Sequence, residues 1–179
     1  MRLDVIITKL RKKFNSISAL AMAAFVVTSC TNIDCPLDNV VAVTCGLYTA
    51  EDHAPMTISD TLTVMAGGVK DTTLLNRAQG IQTFQLPMRQ GVNVDTMLFR
   101  FSNTSQFAID TIFCEHTNEP HFESVDCPAS VFHNIVSVKW TSHSLSQMPL
   151  TIDSVSVTRP VVDYDDIENI EIFLRSTSR

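Results

Sequence analysis

Nine residues able to ligate metals, move protons or accept backbone hydrogen bonds crowd into twenty positions: Cys114, His116, Asn118, Glu119, His121, Glu123, Asp126, Cys127 and His133. Imidazoles and thiolates hold zinc when three or four of them converge. Cys114 and His116 would share one face of a strand, and His121 and Cys127 could return across a hairpin. The metal candidates are therefore His116, His121, Cys127 and His133. Their spacings match no zinc-finger pattern, and there is no His-Glu-x-x-His helix. Pro120 and Pro128 instead suit a long hairpin connection whose polar groups bond the backbone. The expectation is no metal, no cofactor and no catalytic residue. A metal-binding protein or metal-dependent hydrolase built on the His116 to His133 segment is the alternative.

Other chemistry finds less support. There is no Gly-x-Ser-x-Gly elbow, and five glycines supply no phosphate-cradling loop. Gly67-Gly68 reads as a hairpin turn. The acids Asp163, Asp165, Asp166, Glu168 and Glu171 could serve as paired carboxylates in glycoside hydrolysis, but so close in sequence they read as a solvated turn. Trp140 and Tyr48 could form a sugar-stacking platform. Trp140, however, is in phase with Val136 and Val138, which predicts a core position. Asp60-Thr61, Asp71-Thr72, Asp95-Thr96, Asp110-Thr111 and Asp153-Ser154 read as turn-to-strand signals, since Asp bonds nearby turn amides and Thr suits a strand. Calcium ligation by these acids lacks the Asp-x-Asp-x-Asp-Gly loop.

The elements that must position these residues are strands. From residue 40 onward apolar residues alternate in short runs bounded by Asp, Asn, Gly, Pro and Ser. The runs are Val41/Val43/Cys45/Leu47, Leu62/Val64, Phe84/Leu86, Met97/Phe99/Phe101, Ile112/Cys114 or Ile109/Phe113, Val136/Val138/Trp140, Val155/Val157 and Ile170/Ile172/Leu174. About eight strands predict an all-β, antiparallel, immunoglobulin-like sandwich over residues 39–179, following an N-terminal signal helix.

The first 29 residues read as an address. Arg2, Lys9, Arg11, Lys12 and Lys13 precede an apolar run of 11 residues, Ile17 to Val27, broken only by Ser18. A membrane span needs about 20 apolar residues, so this is the basic head and short core of a secretory signal. Small residues then lead into Cys30, the pattern of a bacterial lipoprotein signal in which the Cys30 thiol takes diacylglycerol and the freed amine an acyl chain such as palmitate. Such anchoring is stable without a spanning helix. Residues 30–38 form a tether. Thr31 resembles no inner-membrane retention signal, so the outer membrane is expected, with the periplasmic and surface faces both open.

The net charge of the whole chain is −6, but residues 30–179 keep 8 basic and 18 acidic residues, a net of −10. That excludes nucleic-acid binding by charge. With Cys30 assigned to lipid, Cys35, Cys45, Cys114 and Cys127 remain as an even set in an oxidising compartment, and all three connectivities stay open.

Asp34-Cys35-Pro36-Leu37-Asp38-Asn39, Ser59-Asp60-Thr61-Leu62-Thr63-Val64, the Leu74-Leu75-Asn76 turn, Phe84-Gln85-Leu86-Pro87-Met88, His116-Thr117-Asn118-Glu119-Pro120-His121-Phe122-Glu123-Ser124, Asp126-Cys127 and Glu168-Asn169-Ile170 carry a resemblance. Across nearly all of residues 30–179 the chain resembles a family of uncharacterised lipoproteins from Bacteroidota, hypothetical or calcium-binding-protein-like, filed under a domain of unknown function. The resemblance implies an envelope lipoprotein and transfers no residue roles. The expected function is that of a non-catalytic binding or structural protein of the cell envelope, anchored to the membrane by lipid, with an envelope protein or a glycan as partner.

Overall fold

Two central strands alternate between buried and less buried residues, one throughout and the other as far as Thr117. In β5 (Val94–Ser102) the buried side chains are Asp95, Met97, Phe99 and Phe101. In β6 (Phe107–His121) they are Ala108, Asp110, Ile112, Cys114 and His116. The two pair antiparallel from Val94↔Glu115 to Ser102↔Phe107, so both inward rows lie on one face of the sheet. The computed structural model describes residues 41–68 and 72–177, which belong to one compact unit, Cys35–Arg179. The signal segment 1–29, the tether 30–38, Cys30 and Cys35 lie outside the described residues.

The remaining elements are β1 (Ala42–Thr49), β2 (Thr61–Ala66), β3 (Thr73–Ala78), β4 (Thr83–Pro87), β7 (Ser130–Thr141), β8 (Leu150–Val157), β9 (Val161–Val162) and β10 (Ile170–Ser176). They form a four-stranded sheet, β4-β1-β10-β8, and a six-stranded sheet, β3-β2-β5-β6-β7-β9. No helix occurs among the described residues. Val43, Leu47, Leu86, Ile172 and Leu174 of the first sheet join Leu62, Val64, Phe99, Phe101 and Ile112 of the second in one apolar core. The fold is thus all-β and sandwich-like.

Several expectations are corrected. The described residues hold ten strands rather than eight; β3 and β9 are the additions, and Leu74-Leu75-Asn76 lies within β3 rather than in a turn. The pairing is not purely antiparallel, because β1 runs parallel to β10 from Cys45↔Ile170 to Thr49↔Leu174. These partners lie more than a hundred residues apart, so no hairpin dictates their direction. Between Glu115 and His116 the β6–β7 register shifts, leaving Val136 as an extra residue in β7. Val138 and Trp140 stay opposite the inward Cys114 and Ile112, whereas Val136 is turned out. Trp140 is only partly covered and donates its Nε1–H to Asp153 O at 3.0 Å across the sheet corner.

Asp60-Thr61 does open β2, but Asp95, Asp110 and Asp153 lie inside strands. Asp110 is completely buried, and its carboxylate accepts from His143 N at 2.6 Å, Thr151 Oγ1 at 2.9 Å and Ile152 N at 2.8 Å, with His143 Nδ1 at 2.8 Å. His143 lies between β7 and β8, and Thr151 and Ile152 lie in β8. One side chain of the six-stranded sheet therefore fastens the strand at the edge of the other. Asn169 makes a second joint. Its Oδ1 accepts from Thr44 N at 3.0 Å, and its Nδ2 donates to Arg159 O at 3.1 Å and Val161 O at 2.8 Å.

A buried carboxylate satisfied by several donors is expensive to remove, because those donors lose both protein and solvent. Asp110→Ala should lower unfolding free energy by about 3 kcal/mol or more in urea titration. Asp153→Ala, which breaks a partly exposed pair with Arg175, should lower it by about 1 kcal/mol or less. Equal effects would contradict the joint.

Candidate functional site

The histidine-rich segment folds as the second half of β6, a connection over residues 122–129 and the start of β7. Alternation sends its residues to opposite faces. His116 and His133 point inward, 1% and 2% exposed, and their rings meet edge to face with centroids 4.9 Å apart. His121 points elsewhere. It is half exposed, 3.0 Å from Glu123 Oε1, and stacked on Phe132 at 4.2 Å, with Tyr164 packed edge-on against Phe132. The four-residue metal set of His116, His121, Cys127 and His133 is therefore not assembled. Among the described residues no group of three or more His, Cys, Asp or Glu is placed to hold a metal ion.

What surrounds the histidine pair is a polar cluster that adds Asp95 and Arg89, from outside the segment, to Asn118 within it. Asp95 is opposite Cys114 on β5 and buried. Its Oδ2 is 3.2 Å from His116 Nε2, and its Oδ1 accepts from Arg89 Nε at 2.5 Å. Asn118, two residues beyond His116, donates Nδ2 to Val92 O at 2.7 Å. That bond turns Asn118 Oδ1 toward His133 Nδ1, 2.7 Å away. His116 N also donates to Asn93 O, and Arg89 N to Asp95 Oδ2, so the connection between β4 and β5 is laced down onto the cluster. His116, Asn118 and His133 belong to the segment the sequence singled out, whereas Asp95 stood in the Asp95-Thr96 pair, read as a turn-to-strand signal, and Arg89 carried no signal.

These bonds assign the tautomers. An amide oxygen and a carboxylate accept only, so His133 carries its proton on Nδ1 and His116 on Nε2. The opposite nitrogens, His133 Nε2 and His116 Nδ1, are buried with no hydrogen-bond partner. Burial first, and then the neighbouring His116, depress the His133 imidazole to about 4.

Cys45 and Cys114 are free and buried, which corrects their expected place among disulfide cysteines. Cys114 sits mid-strand, seven residues before the end of β6, a run of about 23 Å, so it stands well away from Cys127 in the connection beyond. Cys127 is disulfide-bonded. Burial pushes the Cys114 thiol up to about 12, and burial, then Cys114 and Glu168, raise Cys45. Neither is a thiolate nucleophile at neutral pH.

The acidic stretch is structural. Asp163 and Asp165 hold Arg159, Asp166 accepts from Gln85 at 2.6 Å, and Glu168 accepts from the Tyr48 hydroxyl at 2.9 Å. A cleft of about 440 Å³ at one end of the four-stranded sheet is lined by Thr49, Glu51, Asp52, Met56, Leu174 and Arg175 among others, and in it the Thr49 hydroxyl donates to Asp52 Oδ1.

The outer face of the six-stranded sheet is the feature that alternation left ambiguous. Ile112 and Cys114 take the inward side of β6, which leaves Phe107 (57% exposed), Ile109 and Phe113 facing out along the strand, with Val94 of β5 and Val136 (58%) of β7 toward its Phe113 end. A depression of about 250 Å³ lies between Val94, Phe113, Glu115, Ser137 and Lys139. The Arg100 guanidinium covers Phe107, 4.4 Å from the ring centre. Apolar residues grouped this way on one sheet face mark an interaction surface rather than scattered surface hydrophobes.

The depressed His133 fixes a pH response. The unfolded chain takes a proton near 6.5 and the folded chain only near 4, so His133's contribution is complete above about pH 6.5 and is lost as pH falls toward 4. Urea titrations should show a loss on the order of 3 kcal/mol across that window, and His133→Gln should flatten it. An unchanged slope in that variant would contradict the assignment.

Searches of curated proteins and of solved structures returned no match. A family model does match, over residues 61–174, running from the first residue of β2 into β10 and covering more than half of the chain. That span contains Asp95, Asp110, His116, His133 and the whole outer face of β5–β7, and through it the chain belongs to the family of unknown function DUF6452.

Proposed function

We propose that this chain is a non-catalytic binding protein of the bacterial cell envelope, acylated at Cys30 and held at the outer membrane, whose immunoglobulin-like sandwich docks another envelope protein on the outer face of its six-stranded sheet. The observation that carries the reading is the group of exposed Phe107, Ile109, Phe113, Val94 and Val136 on adjacent strands. Side chains on central strands of a sheet hold fixed positions, so a partner meets a preorganised apolar surface. Charged Glu115 and Lys139 beside the depression give it a polar rim. A protein fits this surface, because its exposed aromatics are interleaved with aliphatic side chains and with groups such as Glu115, Ser137 and Lys139 that can pair with a polar rim.

The membrane part of the reading rests on the order of basic head, short apolar run, small residues and Cys30, all outside the described residues. The net charge of −10 over residues 30–179 supports a domain that stands off an anionic bilayer on its tether.

Two measurements test it. Cys30→Ala should move the protein from the membrane to the soluble fraction; full retention would refute the anchor. In-cell crosslinking from position Ser137, followed by mass spectrometry, should give a defined heterologous adduct. The adduct should be lost in Ile109→Asp/Phe113→Asp while the circular dichroism spectrum is kept. An adduct indifferent to that double variant would refute the docking face.

A further inference from the structure

Cys127 is disulfide-bonded, while Cys45 and Cys114 are free thiols. The chain has five cysteines, so the other half of that bond is Cys30 or Cys35. The free pair is sealed in the apolar core, out of reach of an oxidant. Cys127 instead lies in the surface connection between β6 and β7, beside the exposed Phe122 and Val125, where the backbone turns back and Cys127 N donates to Ser124 O at 3.3 Å.

The fold brings the N-terminal segment to this connection. The described chain begins at Val41, whose carbonyl accepts from Met88 N at 3.3 Å. Met88 opens the β4–β5 connection, which is bonded to the second half of β6 by Asn118 Nδ2 to Val92 O at 2.7 Å and by His116 N to Asn93 O at 2.9 Å. Three residues beyond Asn118, β6 ends at His121, opposite Ser130 of β7, and Cys127 lies between them. A second route agrees with the first. Asn169 joins Thr44 of β1 to Val161 O, and Val161 pairs with Asn134 near the start of β7. β1 therefore begins at the end of the sandwich that carries the β6–β7 connection. Cys35 precedes Val41 by six residues, a reach of about 20 Å.

We propose that Cys127 is bonded to Cys35, and that this disulfide clips the lipid tether to the β6–β7 connection. The choice of Cys35 over Cys30 rests on the acylation of Cys30 proposed above, which uses that thiol. The bond forms by exchange with a disulfide-bearing oxidant in the compartment to which the chain is exported. One cysteine thiolate attacks the oxidant's disulfide, the other displaces the oxidant from the mixed disulfide, and the oxidant leaves as a dithiol with the two electrons and two protons. The clip leaves only residues 31–34 between the lipid and the domain, in place of residues 31–40. The β6–β7 connection is thereby held within about 17 Å of chain from the acylated residue.

Two measurements on the whole, membrane-bound chain test the clip. With thiols blocked before denaturation and digestion without reductant, mass spectrometry should find the Cys35 and Cys127 peptides joined, two hydrogens lighter than the separate thiols. A Cys30–Cys127 pair, or an unpaired Cys127, would overturn the proposal. In a chain carrying a site-specific protease sequence inserted between Leu37 and Asp38, cutting should release essentially none of the domain from the membrane until a reductant is added, and then essentially all of it. The same insertion with Cys35→Ser should be released by cutting alone. Release without reductant when Cys35 is present, or no release after reduction, would equally overturn the clip. Failure of the anchor is read separately: retention of Cys30→Ala at the membrane refutes acylation, whereas the joined Cys35–Cys127 peptides are detected without reference to the lipid.

Discussion

The carboxylate of Asp110 is the constraint on which the rest of the sandwich depends. Apolar contact between two sheets is non-directional and tolerates sliding. A buried anion does not, because its acceptor sites must meet donors at fixed distances or leave a charge unpaired. Asp110 meets His143 N, His143 Nδ1, Thr151 Oγ1 and Ile152 N, each within 3 Å. Those partners lie at the start of β8 and in the corner leading to it. The position of β8, and through its pairing that of β10, is thereby tied to the first part of β6.

The same device recurs elsewhere. Asn169 ties the start of β10 to β1 and to the backbone leading into β9, with its amide oxygen and both amide protons used. The Arg89–Asp95–His116 chain ties the β4–β5 connection to β6. Between these joints lies an apolar core, with Phe99, Phe101, Ile112, Ile152 and Ile172 fully buried. Burial supplies the driving force, and the polar joints select one packing of the two sheets. The histidine pair differs from the other joints because two of its acceptors are left over.

Much of this was legible in the sequence where the two faces of a strand differ in character. Met97, Phe99 and Phe101 alternate with Leu98 and Arg100, and all three are buried. In β6 both faces carry apolar residues, so periodicity left Ile112/Cys114 and Ile109/Phe113 as equals; that two-sided pattern was itself the sign of the outer face. β3 escaped because Leu74 and Leu75 are adjacent, its pairing with β2 shifts register twice, and Arg77 takes a positive φ of 48°. β9 is two residues long and exists through its pairing with β7. Asp95 and Asp110 were misread for a physical reason. A turn Asp bonds amides one or two residues away, which composition suggests, whereas these reach Arg89, His143 and Ile152, which only the fold brings near. The contact of His116 with His133 depends on the shifted β6–β7 register, which no spacing rule reports.

The parallel pairing of β1 with β10 carries a consequence for how the chain is made. β1 lies between β4, which comes after β2 and β3, and β10, which comes last, so the four-stranded sheet is left as two fragments until β10 arrives. The six-stranded sheet has no such wait through β2, β3, β5, β6 and β7, whose pairings follow nearly in order of synthesis. Closure is therefore a late, non-local event and a slow one by its contact order. Until it happens, Val43, Cys45 and Leu47 sit on an open strand edge, the state most exposed to wrong partners.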